Sequence, residues 1–152
     1  KISQLKEQYG NVSGKLSDNE LRLLDSHYGE GHRLNPEAAV QFEKMSAAFE
    51  AEFGHPIAIT DSYRDYAAQV DVKNRKPGLA ATPGTSNHGW GFAVDLGDGI
   101  ESFGTEEHTW LQENSWKYGW VHPGWAHPDG SKPEPWHWEY KGNGATPETS
   151  AY

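Results

Sequence analysis

Apolar side chains at Phe42, Met45, Phe49 and Phe53 recur three and four positions apart, the spacing that gathers residues onto one face of an α-helix. Asn35-Pro36 ahead of them supplies an N-cap and a first-turn proline, and Gly54 stands where a C-terminal cap belongs. The pattern predicts a helix between Asn35 and Gly54, the clearest element of the chain. Shorter signals follow. Ile57 to Thr60 reads as a strand, Tyr66 to Arg75 as a helix, Phe92 to Leu96 as a strand, and Pro135 to Tyr140 as a last short strand. Thr105 caps a further helix that ends near Gly119. Upstream, Ser17-Asp18-Asn19-Glu20 has the form of a capping box and predicts a short helix through about Asp25. Pro77 to Asn87 is a loop rich in Pro, Gly, Thr and Ser. Helices come first and between, strands late, which predicts an α+β fold with a small antiparallel sheet and flanking helices rather than a βαβ repeat.

A chain of 152 residues forms one domain and buries roughly two thirds of its unfolded surface. We place that domain at residues 1–141, with its motif-bearing core at 57–140. From Gly142 to Tyr152 the composition is that of a linker, and a further module beyond it is expected. There is no cysteine, which excludes disulfides, thiolate ligands and a cysteine nucleophile. Thirteen basic against 22 acidic residues, a net charge of −9, argue against nucleic acid and anionic membranes as partners. No apolar run approaches the roughly 20 residues of a membrane span, and no signal peptide opens the chain. Residue 1 is Lys rather than Met, compatible with an export signal already removed. A monomer is expected. Seven Trp and seven Tyr beside 17 Gly and one Met suggest a shallow core with aromatic-walled clefts, although any single Trp packs more often than it binds.

Two stretches carry chemistry. "SNHGWGFAVDLG", Ser86 to Gly97, holds His88 and Asp95 seven positions apart in a glycine-broken segment that reads as a core strand. "EPWHWEY", Glu134 to Tyr140, holds Glu134 and His137 three apart. Residues an odd number apart face opposite sides of an ideal strand. Convergence therefore requires a bend at Gly89-Trp90-Gly91, which the glycines permit, and requires Glu134 to lie in the turn before Pro135. A catalytic zinc takes three His and carboxylate ligands and keeps a fourth position for water. His88, Asp95 and His137 meet that requirement, with Glu134 placed to take the water's proton. The plainer alternative makes His88 a satisfied core histidine and Asp95 a turn residue. Arg64 has its own plain reading, a surface ion pair to Asp61 or Asp65. His122 and His127, each before a proline, read as loop or rim residues, and His27, His32, His55 and His108 show no partner pattern. Trp90, Trp136 and Trp138 flank the proposed ligands as core supports or as cleft walls.

With "DSYRDYAAQ", these stretches resemble the VanY-type D-alanyl-D-alanine carboxypeptidases, zinc peptidases of the LAS group. Ser86, His88 and Asp95 match the family's Ser-x-His-x6-Asp motif, and Glu134 and His137 its Glu-x-x-His motif. Tyr63, Arg64, Tyr66 and Gln69 match the segment that precedes them. The matches run in order from about Ile57 to Tyr140, while residues 1–34 carry none. The resemblance implies a LAS/Hedgehog-like fold, one catalytic Zn2+, the peptidoglycan stem peptide as partner, and action outside the cell or in its wall, by secretion or phage lysis. It implies metal binding by His88, Asp95 and His137, general base catalysis by Glu134, and support of the scissile carbonyl by Arg64. Substrate contacts fall to Ser86, Gln69, Tyr63 and Trp136. The leading activity is removal of a terminal D-Ala. An endolysin-type endopeptidase cutting L-Ala-D-Glu or a cross-bridge is the alternative. A non-catalytic wall-binding or Hedgehog-like module is the third, and a pure binder needs neither Glu134 nor Arg64.

Overall fold

In a computed structural model that describes residues 2–78 and 80–148, the elements run α1 (Ile2–Tyr9), β1 (Arg22–Leu23), β2 (Arg33–Leu34), α2 (Pro36–Phe53), β3 (Ile59–Asp61), α3 (Tyr66–Arg75), β4 (Ala93–Leu96), α4 (Glu106–Asn114), β5 (Trp120–Val121) and β6 (His137–Tyr140). Strands β1 and β2 form a small antiparallel pair, and the other four make one antiparallel sheet in the order β3-β4-β6-β5.

Helix α2 begins and ends as its caps require. The Asn35 side chain accepts hydrogen bonds from the backbone N–H groups of Glu37 and Ala38, and Gly54 closes the helix at φ 82°, a left-handed conformation that favours glycine. Phe42, Met45 and Phe49 are fully buried, while Phe53 is only partly covered. Their face packs against aromatic residues downstream: Phe42 lies edge-on to Trp120 at 6.0 Å, and Phe49 edge-on to Trp110 at 5.5 Å. Each fully buried side chain of this size contributes about 1.5–3 kcal/mol relative to exposure. The aromatic residues thus build the core, with Trp90, Trp120 and Trp138 all inside it. Tyr140 ties β6 to the start of α2 by donating to Glu37 over 2.6 Å.

Three expectations change. The capping-box sequence forms only one 3-10 turn, Asp18–Glu20, and the chain then enters β1. Ser17 directs its hydroxyl to the Asn19 side chain instead of capping, and pairing of Arg22 and Leu23 with Leu34 and Arg33 overrides the local signal. The helix from Thr105 ends at Asn114 and continues as a 3-10 turn, Ser115–Tyr118, to Gly119 at φ 79°. His88 lies on a 3-10 turn, Asn87–Trp90, rather than on a core strand.

The N-terminal segment is bound to the site's support. Ser13 and Gly14 donate from their backbones to Gly84 and Gly89, each over 2.8 Å, and Gly14 accepts from Tyr66 at 3.0 Å. A Cβ on Gly14 would stand 2.5 Å from the Tyr66 nitrogen, so only glycine fits this close approach. Of the linker-like tail, residues 142–148 carry no helix or strand and 149–152 lie outside the described residues. Among the described residues, no helix is long and apolar enough to cross a membrane.

Candidate metal centre and active site

Strand register brings the first two candidates together. In the β4–β6 ladder Asp95 is the direct partner of His137, and in the β3–β4 ladder Asp61 is the partner of Asp95 across an irregular step. The three side chains form a row on one face of the sheet. On the opposite face Val94 and Trp138, also paired, are buried in the core.

His88 reaches the row from the side. Ser86 caps its turn by accepting from the His88 backbone N–H at 3.1 Å, and Gly91, at φ 80°, swings the chain from the turn into β4. This is the bend that the seven-residue spacing demands. Nδ1 of His88 lies 2.9 Å from the Ser62 carbonyl oxygen. A carbonyl only accepts, so Nδ1 carries the proton and Nε2 faces Asp95, 3.3 Å from its Oδ1.

His137 is oriented in the mirror sense. Its Nε2 donates to the Glu139 carboxylate at 2.8 Å, and its Nδ1 stands 3.2 Å from Asp95 Oδ1. Each imidazole thus has its outer nitrogen committed to an acceptor and its inner nitrogen turned to the same carboxylate oxygen. Ligands held about 2.0–2.1 Å from a tetrahedral zinc lie roughly 3.3 Å apart. The two His–Asp separations meet that spacing, and suitable ligand atoms of His88, Asp95 and His137 all lie within 4.8 Å of one another. The donor set therefore fits one zinc ion, and the outer partners Ser62 and Glu139 set the ring orientations.

Without a metal, the same groups form a tightly coupled charged cluster. Burial opposes ionisation of Asp95, but His88 and His137 outweigh it and hold the carboxyl well below its ordinary range. Burial likewise opposes charging of His137, and Asp95 and Glu139 push it up to about 9 in the absence of a metal. Glu134 moves the other way. Burial raises its pKa, the Asp95 charge adds to this and His137 partly offsets it. A carboxylate displaced toward neutrality is a better proton acceptor at physiological pH.

Glu134 sits in the turn ahead of β6, where its backbone N–H donates to Ala126 at 3.0 Å. With Arg64, Ser86 and Trp136, it lines a cleft of about 350 Å³ that opens over the His–Asp–His group. Arg64 makes one of the ion pairs expected of it, though not at the surface: its largely buried side chain pairs with Asp61 through Nε at 3.0 Å and a terminal nitrogen at 2.5 Å, and the same terminal nitrogen lies 3.9 Å from Asp95. Asp61 thereby holds the guanidinium at the edge of the site.

Gln69 and Tyr63 are not among the residues lining the cleft. Gln69 is buried, accepting from Gly84 N at 2.7 Å and Ser13 Oγ at 3.4 Å and donating to the Arg64 carbonyl at 3.2 Å. It braces the loop and the segment that carry Ser86 and Arg64. The Tyr63 hydroxyl accepts from Leu16 N at 3.2 Å, and its ring lies under the Arg33 guanidinium. Trp90 and Trp138 are core supports.

Two groups escaped sequence reasoning. Glu139 was legible in principle, since alternation puts it on the face of His137 two positions away. His122 and His127 are not rim residues; they are buried with His108 beneath the Glu134 turn. The prolines after them mark a loop whose ends fold inward.

The comparisons agree with this geometry. Residues 31–143 match the family model described as VanY, D-alanyl-D-alanine carboxypeptidase. A curated D-alanyl-D-alanine carboxypeptidase of Enterococcus faecalis is 46% identical over 147 positions, covering 82% of this chain and 53% of the relative; the chain spans about half that relative's length. Among solved structures, a mutant of the vancomycin resistance D,D-pentapeptidase VanY in complex with Zn(II) is similar at 28% identity and TM-score 0.64, covering 81% of this chain and 79% of that one. VanYB in complex with D-alanine-D-alanine gives 28%, 0.65, 88% and 83%. The LdcB LD-carboxypeptidase gives 26%, 0.68, 87% and 75%.

Proposed function

The chain belongs to the VanY D-alanyl-D-alanine carboxypeptidase family, and from that premise we propose that it is a zinc-dependent peptidase that removes the terminal D-Ala from the peptidoglycan stem peptide, acting at the cell wall outside the membrane. The observation that carries this reading is the convergence of the inner nitrogens of His88 and His137 on Asp95 Oδ1, at 3.3 and 3.2 Å, under a cleft that Glu134 also lines.

His88, Asp95 and His137 would hold the zinc ion, which when bound would supply Lewis acidity to a water and to the scissile carbonyl. Glu134 takes a proton from the attacking water as its oxygen bonds to the carbonyl carbon. The C–N bond then breaks, and Glu134 returns that proton to the leaving amine of D-Ala. Proton transfer of this kind is typically worth about 10²–10⁴ in rate. Arg64 spends two N–H groups on Asp61 and has others to offer the oxygen on which negative charge develops. Ser86 and Trp136 line the wall beside the ligands, and on this reading they are the side chains that meet the substrate. Gln69 and Tyr63 act indirectly, by holding the backbone from which Arg64 and Ser86 project.

The test is mass spectrometry of purified muropeptides after incubation with the zinc-loaded protein and its Glu134→Ala variant. Loss of one D-Ala from pentapeptides, by the unmodified protein alone, is the expected result. Loss of D-Ala from tetrapeptides instead would make it an L,D-carboxypeptidase, cleavage inside the stem or bridge an endopeptidase, and unchanged muropeptides would overturn the enzymatic reading.

A further inference from the structure

Glu134 lies outside regular secondary structure, so something other than a strand must hold it. The answer is beneath the turn. Its carbonyl oxygen lies 2.9 Å from Nε2 of His122, and its N–H is held by Ala126. His122 is itself fixed: its ring stacks on Trp138 at 4.8 Å and 25°, and its own carbonyl oxygen lies 2.8 Å from Nε2 of His127. His108 packs edge-on to His122 at 5.3 Å and bonds the Ile100 carbonyl through Nδ1. Trp138 Nε1 donates to the Pro135 carbonyl at 3.1 Å. Carbonyl oxygens only accept, so His127 donates to His122 and His122 donates to Glu134.

We infer that His122, braced by His127, is a positioning residue for Glu134: a neutral Nε2–H imidazole whose hydrogen bond to the Glu134 carbonyl aims that carboxylate into the cleft. The inference rests on the reading of Glu134 as the general base. Its physical basis is that the turn is otherwise closed only from its own ends, by the His137 N–H donating to the Glu134 carbonyl at 3.2 Å and the Glu134 N–H donating to Ala126 at 3.0 Å, while His122 shares that carbonyl from beneath at 2.9 Å. A displacement of about 1 Å in a reacting group can cost roughly 10² in rate. Burial works in the same direction, because it pushes His122 down to about 3 and keeps the ring in the neutral form with one proton to place. None of the three histidines belongs to the proposed ligand set, and His122 does not line the cleft above it.

The experiment compares His122→Phe, which keeps an aromatic ring and loses the donor, with His122→Gln, whose Nε2 restores an N–H at the same reach. Each is assayed for kcat and KM on an N-acyl-L-Lys-D-Ala-D-Ala peptide and for zinc stoichiometry. Glu134→Ala is run alongside, and imidazole 15N resonances of the unmodified protein report the His122 tautomer. The expected result is a kcat lower by about tenfold or more in His122→Phe, with KM and zinc content unchanged, recovery of most of that loss in His122→Gln, and an Nε2–H tautomer. Full kcat in His122→Phe while Glu134→Ala is inactive would overturn the positioning role and leave the base in place. Equal losses in both His122 variants, or an Nδ1–H tautomer, would overturn it too. Full turnover in Glu134→Ala would instead bring down the reading of the base.

Discussion

Nε2 of His137 donates to the carboxylate of Glu139 over 2.8 Å, and the two residues stand two positions apart on one strand, facing the same side of the sheet. Glu139 is buried and takes further hydrogen bonds from Asn87 at 3.2 Å and Lys141 at 3.1 Å. It therefore fixes which nitrogen of His137 is left to face Asp95. Loss of such an outer partner typically lowers metal affinity about 10–100-fold. We expect Glu139→Ala to fall in that range by zinc competition with a chelator, while the fold persists by circular dichroism. Unchanged affinity would remove Glu139 from the metal centre.

Ligands and base separate by what they retain. His137→Ala should lose both stoichiometric zinc and turnover. Glu134→Ala should keep zinc and lose turnover by about 10²–10⁴. Metal analysis beside a D-Ala release assay reads both, and activity in zinc-free His137→Ala would refute the ligand set.

Gln69 is buried away from the cleft lining and holds Gly84. In Gln69→Ala the buried Gly84 N–H loses its acceptor, a defect costing about 1–3 kcal/mol. At roughly 2–4 °C per kcal/mol for a domain of this size, the melting temperature should drop by several degrees with KM for the peptide little changed. A large rise in KM at constant stability would instead place Gln69 against the substrate.

Acid should destabilise the fold through the buried histidines. Burial pushes His122 down to about 3 and lowers His108 as well, with His127 and His137 adding repulsion at His122. In the unfolded chain both take up protons near pH 6.5. Between these values the unfolded state binds more protons than the folded one, so this contribution to stability is complete above pH 6.5 and declines as pH falls. Each such group adds a slope of up to about 1.4 kcal/mol per pH unit. Denaturant titrations from pH 7.5 to 4.5 should show a steeper loss for the unmodified protein than for His122→Gln. Parallel lines would disprove the assignment.

Much of the site was legible in advance because its spacing is restrictive. His88 and Asp95 seven apart and Glu134 and His137 three apart cannot converge from ideal strands. Parity alone therefore called for a bend near Gly89–Gly91 and a turn before Pro135, and both are present. Helix α2 was equally readable, since its caps and apolar face are local. The capping box at Ser17 misled because two-residue pairing of β1 with β2, a contact made across a loop, outweighed it.

The chain alone determined the chemistry on offer: side chains able to bind a cation, carboxylates able to move a proton, and no thiol. Tertiary structure decided how each is aimed. The orientation of His88 depends on the Ser62 carbonyl, that of His137 on Glu139, and that of Glu134 on His122. Gln69, five positions after Arg64, is turned inward to brace Gly84, and Tyr63, next to Arg64, directs its hydroxyl to Leu16 N. The reason is geometric. Hydrogen-bond direction depends on which elements pack together, and residues such as Ser62 and His88, 26 positions apart, meet only after the sheet and its turns have assembled.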